Sequence, residues 1–227
     1  MRPLLFALLF GSTVAPRAFA VEFRIDDAWG RDTVQFRTTA PIEDVVGSTN
    51  QIKGKVVVDP KDVRAKGTQG RIEIDQRTFK TGLGLRDKHL AGKLKAEENP
   101  TAVFTLTGIK SGPRSLDPDK PADFVLAGTL QIAGVTKNVE IPAQLAYLPH
   151  KEATAKFRPG NYLRIKSDFD VKLSDYGIDR SGPVMSMQVG ETAHVSLSIL
   201  ATDASDEELV NYRAGAKKWL GSDARTN

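Results

Sequence analysis

Much of the chain alternates apolar and polar residues with a period of two, a pattern typical of strands that bury one face. The clearest example is residues 162–173, where Leu163, Ile165, Phe169 and Val171 alternate with charged residues. Alternation or a β-branched, aromatic composition also marks residues 21–25, 33–38, 42–47, 51–59, 71–75, 101–109, 124–132, 139–147 and 193–199. The pattern predicts roughly eight to ten strands, mostly linked by hairpins, in an all-β antiparallel fold.

One charged segment, residues 86–98, departs from this period. It has high helix propensity and follows Gly82 and Gly84, which can adopt left-handed backbone angles. It ends at Asn99-Pro100, because the residue before a proline is disfavoured in a helix. We therefore predict one short helix between strands, well placed to cover an end of a barrel.

The C-terminal part of the chain changes to helical spacing. Ser205 and Glu208 form a capping box, and the residues Leu209, Tyr212, Ala216 and Trp219 repeat on one helical face before Gly221. We predict a helix over residues 206–220 that packs on the barrel wall. A helix that binds a partner or a membrane surface is the alternative.

The N-terminal residues 1–20 have the features of a secretory signal peptide, with an apolar run at residues 4–10 and Ala18-Phe19-Ala20 as the cleavage pattern. The predicted organisation is a signal peptide over 1–20, a barrel domain over 21–201 and a helical appendage over 202–227. Without the signal peptide the basic and acidic residues nearly balance, so the charge does not indicate a nucleic-acid partner. The chain has no cysteine, so its stability depends on an apolar core.

The inward positions of the predicted strands are candidates for a cavity wall. They are Val34, Phe36, Phe104, Leu106, Leu163, Ile165 and Phe169. A barrel of about eight strands can either fill its interior with side chains or hold one small ligand, so the pattern leaves both possibilities open.

A polar cluster in the helical segment, Arg86, Asp87 and His89, is the most suggestive chemistry. Arg86 could donate to an oxygen of a ligand head group, with Asp87 and His89 beside it at the barrel mouth. Local ion pairs and packing are the alternative role of these three residues. The chain has no G-x-S-x-G motif and no two histidines at ligand spacing, so we predict no catalytic residue, metal site or cofactor.

Several short stretches, in order along residues 21–201, resemble the YceI-like family. They are Arg71-Ile72-Glu73-Ile74-Asp75, Thr81-Gly82, Arg86-Asp87-Lys88-His89-Leu90, Pro100-Thr101-Ala102-Val103-Phe104, the segment from Gly128 to Lys137, and Asp175-Tyr176-Gly177-Ile178. The resemblance implies a periplasmic protein with a lipocalin-like up-and-down barrel. It also implies a hydrophobic small-molecule ligand such as an isoprenoid lipid or a quinone.

Two functional hypotheses follow. The first is a carrier or sequestering protein without enzymatic activity, and the second is an interaction or stress protein with a fully packed barrel. A basic bias at Lys151, Lys156, Arg158, Arg164 and Lys166 suits a solvated face, with peripheral membrane contact as the alternative. The sequence does not fix the ligand or the oligomeric state.

Overall fold

The computed structural model describes residues 20–154 and 159–220. Within these ranges ten strands form one antiparallel sheet. The strands are β1 (Val21–Ile25), β2 (Thr33–Thr39), β3 (Asp44–Thr49), β4 (Ile52–Val58), β5 (Gln69–Asp75), β6 (Thr101–Ser111), β7 (Pro121–Ile132), β8 (Val135–Leu148), β9 (Tyr162–Lys172) and β10 (Thr192–Thr202). Residues 1–19 of the predicted signal peptide lie outside the described part of the chain, as do Lys156, Arg158 and Gly221.

Eight of the strands close into a barrel, in the order β1-β4-β5-β6-β7-β8-β9-β10. The ring closes where β1 pairs with the end of β10, through Arg24 opposite Thr202 and Ile25 opposite Ala201. The earlier part of β10 pairs instead with β2, and the other edge of β2 pairs with β3. The predicted all-β antiparallel barrel is therefore confirmed, with a two-stranded extension along one side.

The tight hairpin between β7 and β8 shows how the local sequence sets the register. Its two-residue loop is Ala133-Gly134, with φ angles of 50° and 82°. Two consecutive positive φ angles match the right-handed twist of the flanking strands. Gly134 takes this conformation without strain, and the pairing of Ile132 with Val135 then fixes the inward faces of both strands.

The barrel has one packed end. Phe23, Leu163 and Ile199 are at most 1% exposed there. They belong to an apolar cluster that also includes Phe124 and Ile165. These side chains pack against one another in the barrel interior, so the packed end supplies the core that stabilises the fold.

Three α-helices accompany the described strands: α1 (Gly84–Lys93), α2 (Pro183–Gln188) and α3 (Asp206–Leu220). Helix α1 is the predicted insert, but it ends five residues before the predicted boundary at residue 98. Leu94 is its C-cap, and Lys95 has a φ of 50°, which a helix cannot continue. The pattern did not predict α2.

The bounds of α3 agree with the prediction. The Ser205 backbone N–H donates to Glu208 Oε2 at 2.7 Å, which is one half of the expected capping box. Leu209, Tyr212 and Ala216 are buried against Ala28 and Ala204, at the end of the barrel where β9 begins and β10 finishes. The helix therefore packs its apolar face on the packed end, while the side chain of Trp219 lies outside the described part.

Candidate functional site

An apolar cavity of about 580 Å³ occupies the opposite end of the barrel, beneath α1. Its wall includes Phe36, Phe79, Leu90, Leu130, Phe169 and Val171. A volume in this range is typical of sites that enclose a small molecule. The barrel interior is thus divided into a packed end and a hollow end.

The cavity wall follows from alternation along two neighbouring strands. Val34, Phe36 and Thr38 project inward from β2, and Ala193 and Val195 from β10, which pairs with β2. The rings of Phe36 and Phe79 meet edge to face with centroids 5.4 Å apart. Neither ring is fully buried, because each has one side against empty space in the cavity.

Five of the ten residues predicted as ligand contacts line this cavity. Val34, Phe36 and Phe169 contribute to the apolar wall, and Arg86 and His89 lie on α1 at the mouth. The structure therefore brings the polar cluster and part of the strand positions to one site.

The other five do not line the cavity. Leu163 and Ile165 belong to the core of the packed end. Phe104 packs beside the cavity wall, with its ring over Gly128, and Leu106 is buried next to Gly70. Asp87 is bonded to Thr81 in the loop before α1 and does not itself line the cavity. Alternation identified the inward face of each strand but not the height of each residue along the barrel axis.

Arg86 and Asp87 hold the loop before α1 in place. The Asp87 carboxylate accepts hydrogen bonds from the Thr81 backbone N–H at 2.8 Å and the Thr81 hydroxyl at 2.7 Å. These hydrogen bonds lower the pKa of Asp87. Arg86 donates to the Thr81 carbonyl oxygen at 2.8 Å and pairs with Glu43. Together the contacts position α1 over the cavity.

Two other basic side chains at the mouth are available to a ligand. His89 is exposed and Arg180 is half-buried, and neither has a hydrogen bond or ion pair among the described residues. Lys93 is already engaged, since its ammonium donates to the Asp179 carbonyl oxygen at 2.9 Å. The mouth can therefore offer donors to an oxygen-rich head group.

Sequence reasoning missed two polar residues inside the cavity, Thr38 and Gln76. Thr38 extends the inward row of Val34 and Phe36 on β2, which is a signal in the sequence that could have found it. Gln76 lies in a short 3₁₀ turn after β5, where the period of two has ended, so alternation could not place it.

An exposed apolar rim surrounds part of the mouth. Leu83 and Leu85 are 58% and 68% exposed at the start of α1. Ile42 is 61% exposed and its backbone N–H donates to the Met187 carbonyl oxygen, so both residues lie together. We call Ile42, Leu83, Leu85 and Met187 the apolar rim.

The structure also bears on two other classes of site. Across residues 20–154 and 159–220, no group of three His, Asp or Glu side chains is arranged to hold a metal ion. In the same ranges no helix combines the length and apolar character needed to cross a membrane.

Curated relatives of the chain have modest sequence identity. A UPF0312 protein of Pectobacterium atrosepticum is 28% identical over 167 residues, which cover 72% of this chain and 79% of that protein. A UPF0312 protein of Pseudomonas fluorescens is 31% identical over 150 residues, which cover 63% of this chain and 73% of that protein.

Solved structures share the barrel fold. BcnA of Burkholderia cenocepacia aligns with a TM-score of 0.59 and 19% identity, over 78% of this chain and 99% of that one. A polyisoprenoid binding domain of Saccharophagus degradans, implicated in plant cell wall breakdown, aligns with a TM-score of 0.59 and 14% identity, over 82% and 99%. The model of the YceI-like domain matches residues 22–201, and the chain belongs to that family.

Proposed function

We propose that this protein binds and carries a long apolar molecule, an isoprenoid lipid or a quinone, in the hollow end of its barrel. The observation that carries the proposal is the apolar cavity of about 580 Å³ beneath α1. Each CH₂ group moved from water into such a site gains about 0.8 kcal/mol, so shape and apolarity are enough for binding. The polyisoprenoid binding domain with the same fold supports this choice of ligand class.

The proposed role needs no chemical step. The polar groups near the cavity hold the loop before α1 or face the mouth, and no nucleophile with an oriented base occurs among the described cavity residues. The A-x-A pattern near Ala20 supports a periplasmic location, where a carrier would shield its ligand from water between membranes.

Lipid analysis of the protein from its own cell envelope tests the proposal. We expect native mass spectrometry to show a bound apolar molecule, and the lipid-free protein to bind polyprenols or quinones in a titration. Repeated absence of a co-purifying lipid, together with no binding of either class, would show that the cavity has another use.

The packed-barrel hypothesis has less support. The interior is hollow at one end, and the apolar face of α3 is already buried on the barrel through Leu209, Tyr212 and Ala216. A partner protein would have to bind the exposed face of α3 instead. Deletion of residues 202–227 tests this alternative. If it is right, the truncated protein should lose a partner in a pull-down experiment and still bind lipid as the full chain does.

We further propose that the apolar rim touches a membrane during ligand exchange. Leu83 and Leu85 project from the mouth, and the cations Lys80 and Lys88 lie exposed beside them. Apolar side chains that enter the head-group region favour binding to a bilayer, and nearby cations favour an anionic one. Contact through the apolar rim would also place the cavity opening against the bilayer that supplies the ligand.

Vesicle flotation tests the membrane contact. With vesicles that contain an anionic phospholipid, we expect the double variant Leu83→Ser, Leu85→Ser to float less than the wild type. Val210→Ser removes a similarly exposed residue, 59% exposed, from α3 at the packed end, and should float normally. Equal flotation of all three proteins would contradict a contact through the rim.

A further inference from the structure

Three basic side chains lie together where the cavity opens to solvent. His89 and Lys93 are four residues apart on α1, so they lie on one face of that helix, and both border the cavity. The Lys93 ammonium donates to the Asp179 carbonyl oxygen at 2.9 Å, which joins α1 to the segment that contains Arg180. Arg180 also borders the cavity and is half-buried, while His89 is exposed. Both side chains are therefore accessible to solvent at the edge of the cavity.

Two of these basic side chains have no protein partner. Among the described residues, His89 and Arg180 form no hydrogen bond and no ion pair. Arginine is paired at many other places in the same part of the chain, as Arg213 is with Asp26. An arginine without a partner keeps its five N–H donors for a molecule that enters the site, and a neutral histidine keeps one.

The acidic side chains that border the cavity are bonded elsewhere. They are Glu43 and Asp179. Glu43 pairs with Arg86. The Asp179 carboxylate accepts from the Ser181 backbone N–H at 2.7 Å and from the Ser181 hydroxyl. Three arginine and lysine side chains border the cavity against these two acids, which leaves the mouth with an excess of one positive charge even when histidine is neutral.

The surroundings of the mouth make this charge effective. The wall below it is apolar, with Leu90, Val171 and Ile178 among its residues. A cleft with charge of one sign and low-dielectric walls concentrates the electric field on what binds there. An apolar chain that fills the hollow end leaves its polar end at the mouth. A phosphate or carboxylate in that position accepts charge-assisted hydrogen bonds, which are about twice as strong as those of a neutral hydroxyl or carbonyl.

We infer that the ligand is an amphiphile with an anionic head group, a phosphate or a carboxylate, which Arg180 and His89 bind at the mouth of the cavity. This inference rests on the proposed function, since it requires an apolar chain in the hollow end. It narrows the class of ligand to a charged isoprenoid or similar lipid, and it adds Arg180 as a binding residue. A guanidinium group suits this role because it can donate to two oxygens of one oxyanion.

The test compares three probes that share one isoprenoid chain and differ in the head group: farnesol, farnesoic acid and farnesyl monophosphate. Displacement of an uncharged apolar dye from the lipid-free protein measures each dissociation constant. The ratio of the constants for variant and wild type is taken for each probe, because this ratio cancels the hydration of the free probe. The assay contains no vesicles, so it separates head-group binding from membrane contact through the apolar rim.

Arg180→Gln removes the charge and keeps a polar side chain. We expect its dissociation constant for the preferred anionic probe to rise about tenfold, the effect of one charge-assisted hydrogen bond, and that for farnesol to change less than about twofold. Arg180→Lys keeps the charge and should lose less affinity. Arg164→Gln is the matched control, because Arg164 is exposed on β9, has no ion pair among the described residues and does not line the cavity. The larger loss of the two anionic probes identifies the head group as phosphate or carboxylate.

Salt provides a second readout that needs no variant. Binding of the anionic probes to the wild type should weaken as the ionic strength rises, while binding of farnesol should not, because salt screens charges that are open to solvent. This comparison decides the matter even if Arg180→Gln does not fold.

Three outcomes would overturn the inference. If the wild type binds farnesol but neither anionic probe, the mouth does not select a charge, although the proposed carrier function stands. If Arg180→Gln weakens all three probes equally, Arg180 shapes the cavity and does not bind the head group. If none of the probes binds, the inference fails together with the proposed function.

Discussion

Two buried threonines on neighbouring strands differ in whether the side-chain hydroxyl has a hydrogen-bond partner, and this difference should determine how each contributes to stability. Among the described residues, the Thr38 hydroxyl on β2 is buried without a hydrogen-bond partner, whereas the Thr49 hydroxyl on β3 bonds Thr78 at 2.6 Å and accepts from the Gln51 N–H at 3.0 Å. Replacing an unpartnered hydroxyl by a methyl group removes a desolvation cost, while replacing a bonded one leaves its partners unsatisfied. The same chemical change should therefore have opposite effects at the two positions.

We expect Thr38→Val to leave the free energy of unfolding of the ligand-free protein unchanged or to raise it by about 1 kcal/mol. Thr49→Val should lower it by about 1–2 kcal/mol. Urea denaturation followed by circular dichroism measures both. A large loss of stability in Thr38→Val would mean that its hydroxyl is bonded in solution, for example to a buried water.

Gly128 on β7 is a second residue whose role depends on close approach. A Cβ at this position would lie 2.4 Å from the Thr105 carbonyl oxygen and 2.8 Å from Cε2 of Phe104. The ring of Phe104 fills the space that a side chain would need. We expect Gly128→Ala to lower the free energy of unfolding by about 1–3 kcal/mol through overpacking.

Gly108 on β6 is the matched control for this substitution. A Cβ there would meet no atom within 4 Å, so Gly108→Ala should change stability little or raise it slightly. Thermal unfolding of the two variants makes the comparison. Equal effects would show that the cost comes from replacing glycine in a strand and not from contact with Thr105 and Phe104.

At the scale of single residues, the sequence predicted which side chains of a strand face the barrel interior, but not how far along the barrel axis each of them lies. The alternation on β9 correctly turned Leu163, Ile165 and Phe169 inward, but only Phe169 reaches the cavity. Depth along the axis depends on the stagger between strands and on where the chain closes, and neither leaves a local pattern. Gln76 was missed because its position depends on hydrogen bonds to Asn99 and Pro100, 23 and 24 residues away in the chain.

At the scale of elements, α1 depends on an ionised side chain. Hydrogen bonds from Thr81 lower the pKa of Asp87 below the ordinary value of about 3.9, with Lys80 and Arg86 contributing in the same direction. A carboxyl group whose pKa is lower in the folded state contributes stability above its unfolded pKa. That contribution is lost as the pH falls through the folded pKa, here below about pH 4.

We therefore expect acid to loosen α1 and release the ligand below about pH 4. Asp87→Asn keeps an oxygen that can accept from Thr81 but does not titrate, so the variant should lose this part of the acid response. Asp44→Asn is the control, because Arg37 and Thr39 lower the pKa of Asp44 on β3, away from the cavity wall. Release of an apolar dye measured against pH distinguishes them, and identical curves for wild type and Asp87→Asn would contradict this role.

The helices differ in how well the sequence specified them. Helix α3 carries its own start signal in Ser205 and Glu208, and the prediction gave both of its ends. Helix α1 has no side-chain cap and no buried residue, so its length depends on contacts with the barrel and on the left-handed turn at Lys95. A prediction from propensity alone extended it too far.

At the scale of the whole molecule, the order of the strands could be anticipated but the closure could not. Hairpin-linked alternation predicts sequential antiparallel neighbours, and β4 to β10 follow that order. The pairing of β10 with both β1 and β2 is a long-range contact that splits one strand between two partners. The part of β10 that pairs with β2 carries Ala193 and Val195 of the cavity wall, so the cavity lies at the end where β10 pairs with β2.

The division into a packed end and a hollow end can be tested with one substitution at two places. Phe124 is 3% exposed in the packed core, and Phe169 is half-buried on the cavity wall. We expect Phe124→Ala to lower the free energy of unfolding by about 3–5 kcal/mol, because it removes contacts on every side of the ring. Phe169→Ala should lower the free energy of unfolding by clearly less, because one side of the Phe169 ring already faces empty space.

Ligand binding should show the reverse order. Phe169→Ala changes the wall and volume of the cavity, so the affinity for an apolar dye should change, whereas Phe124→Ala should bind the dye as the wild type does if measured well below its unfolding temperature. Urea denaturation measures the free energy of unfolding of each variant, and dye titration measures its affinity for the dye. If Phe169→Ala lowers the free energy of unfolding as much as Phe124→Ala does and leaves the dye affinity unaltered, the hollow end is filled with side chains like the packed end. The opposite result would show that the packed end stabilises the fold while the hollow end binds the ligand.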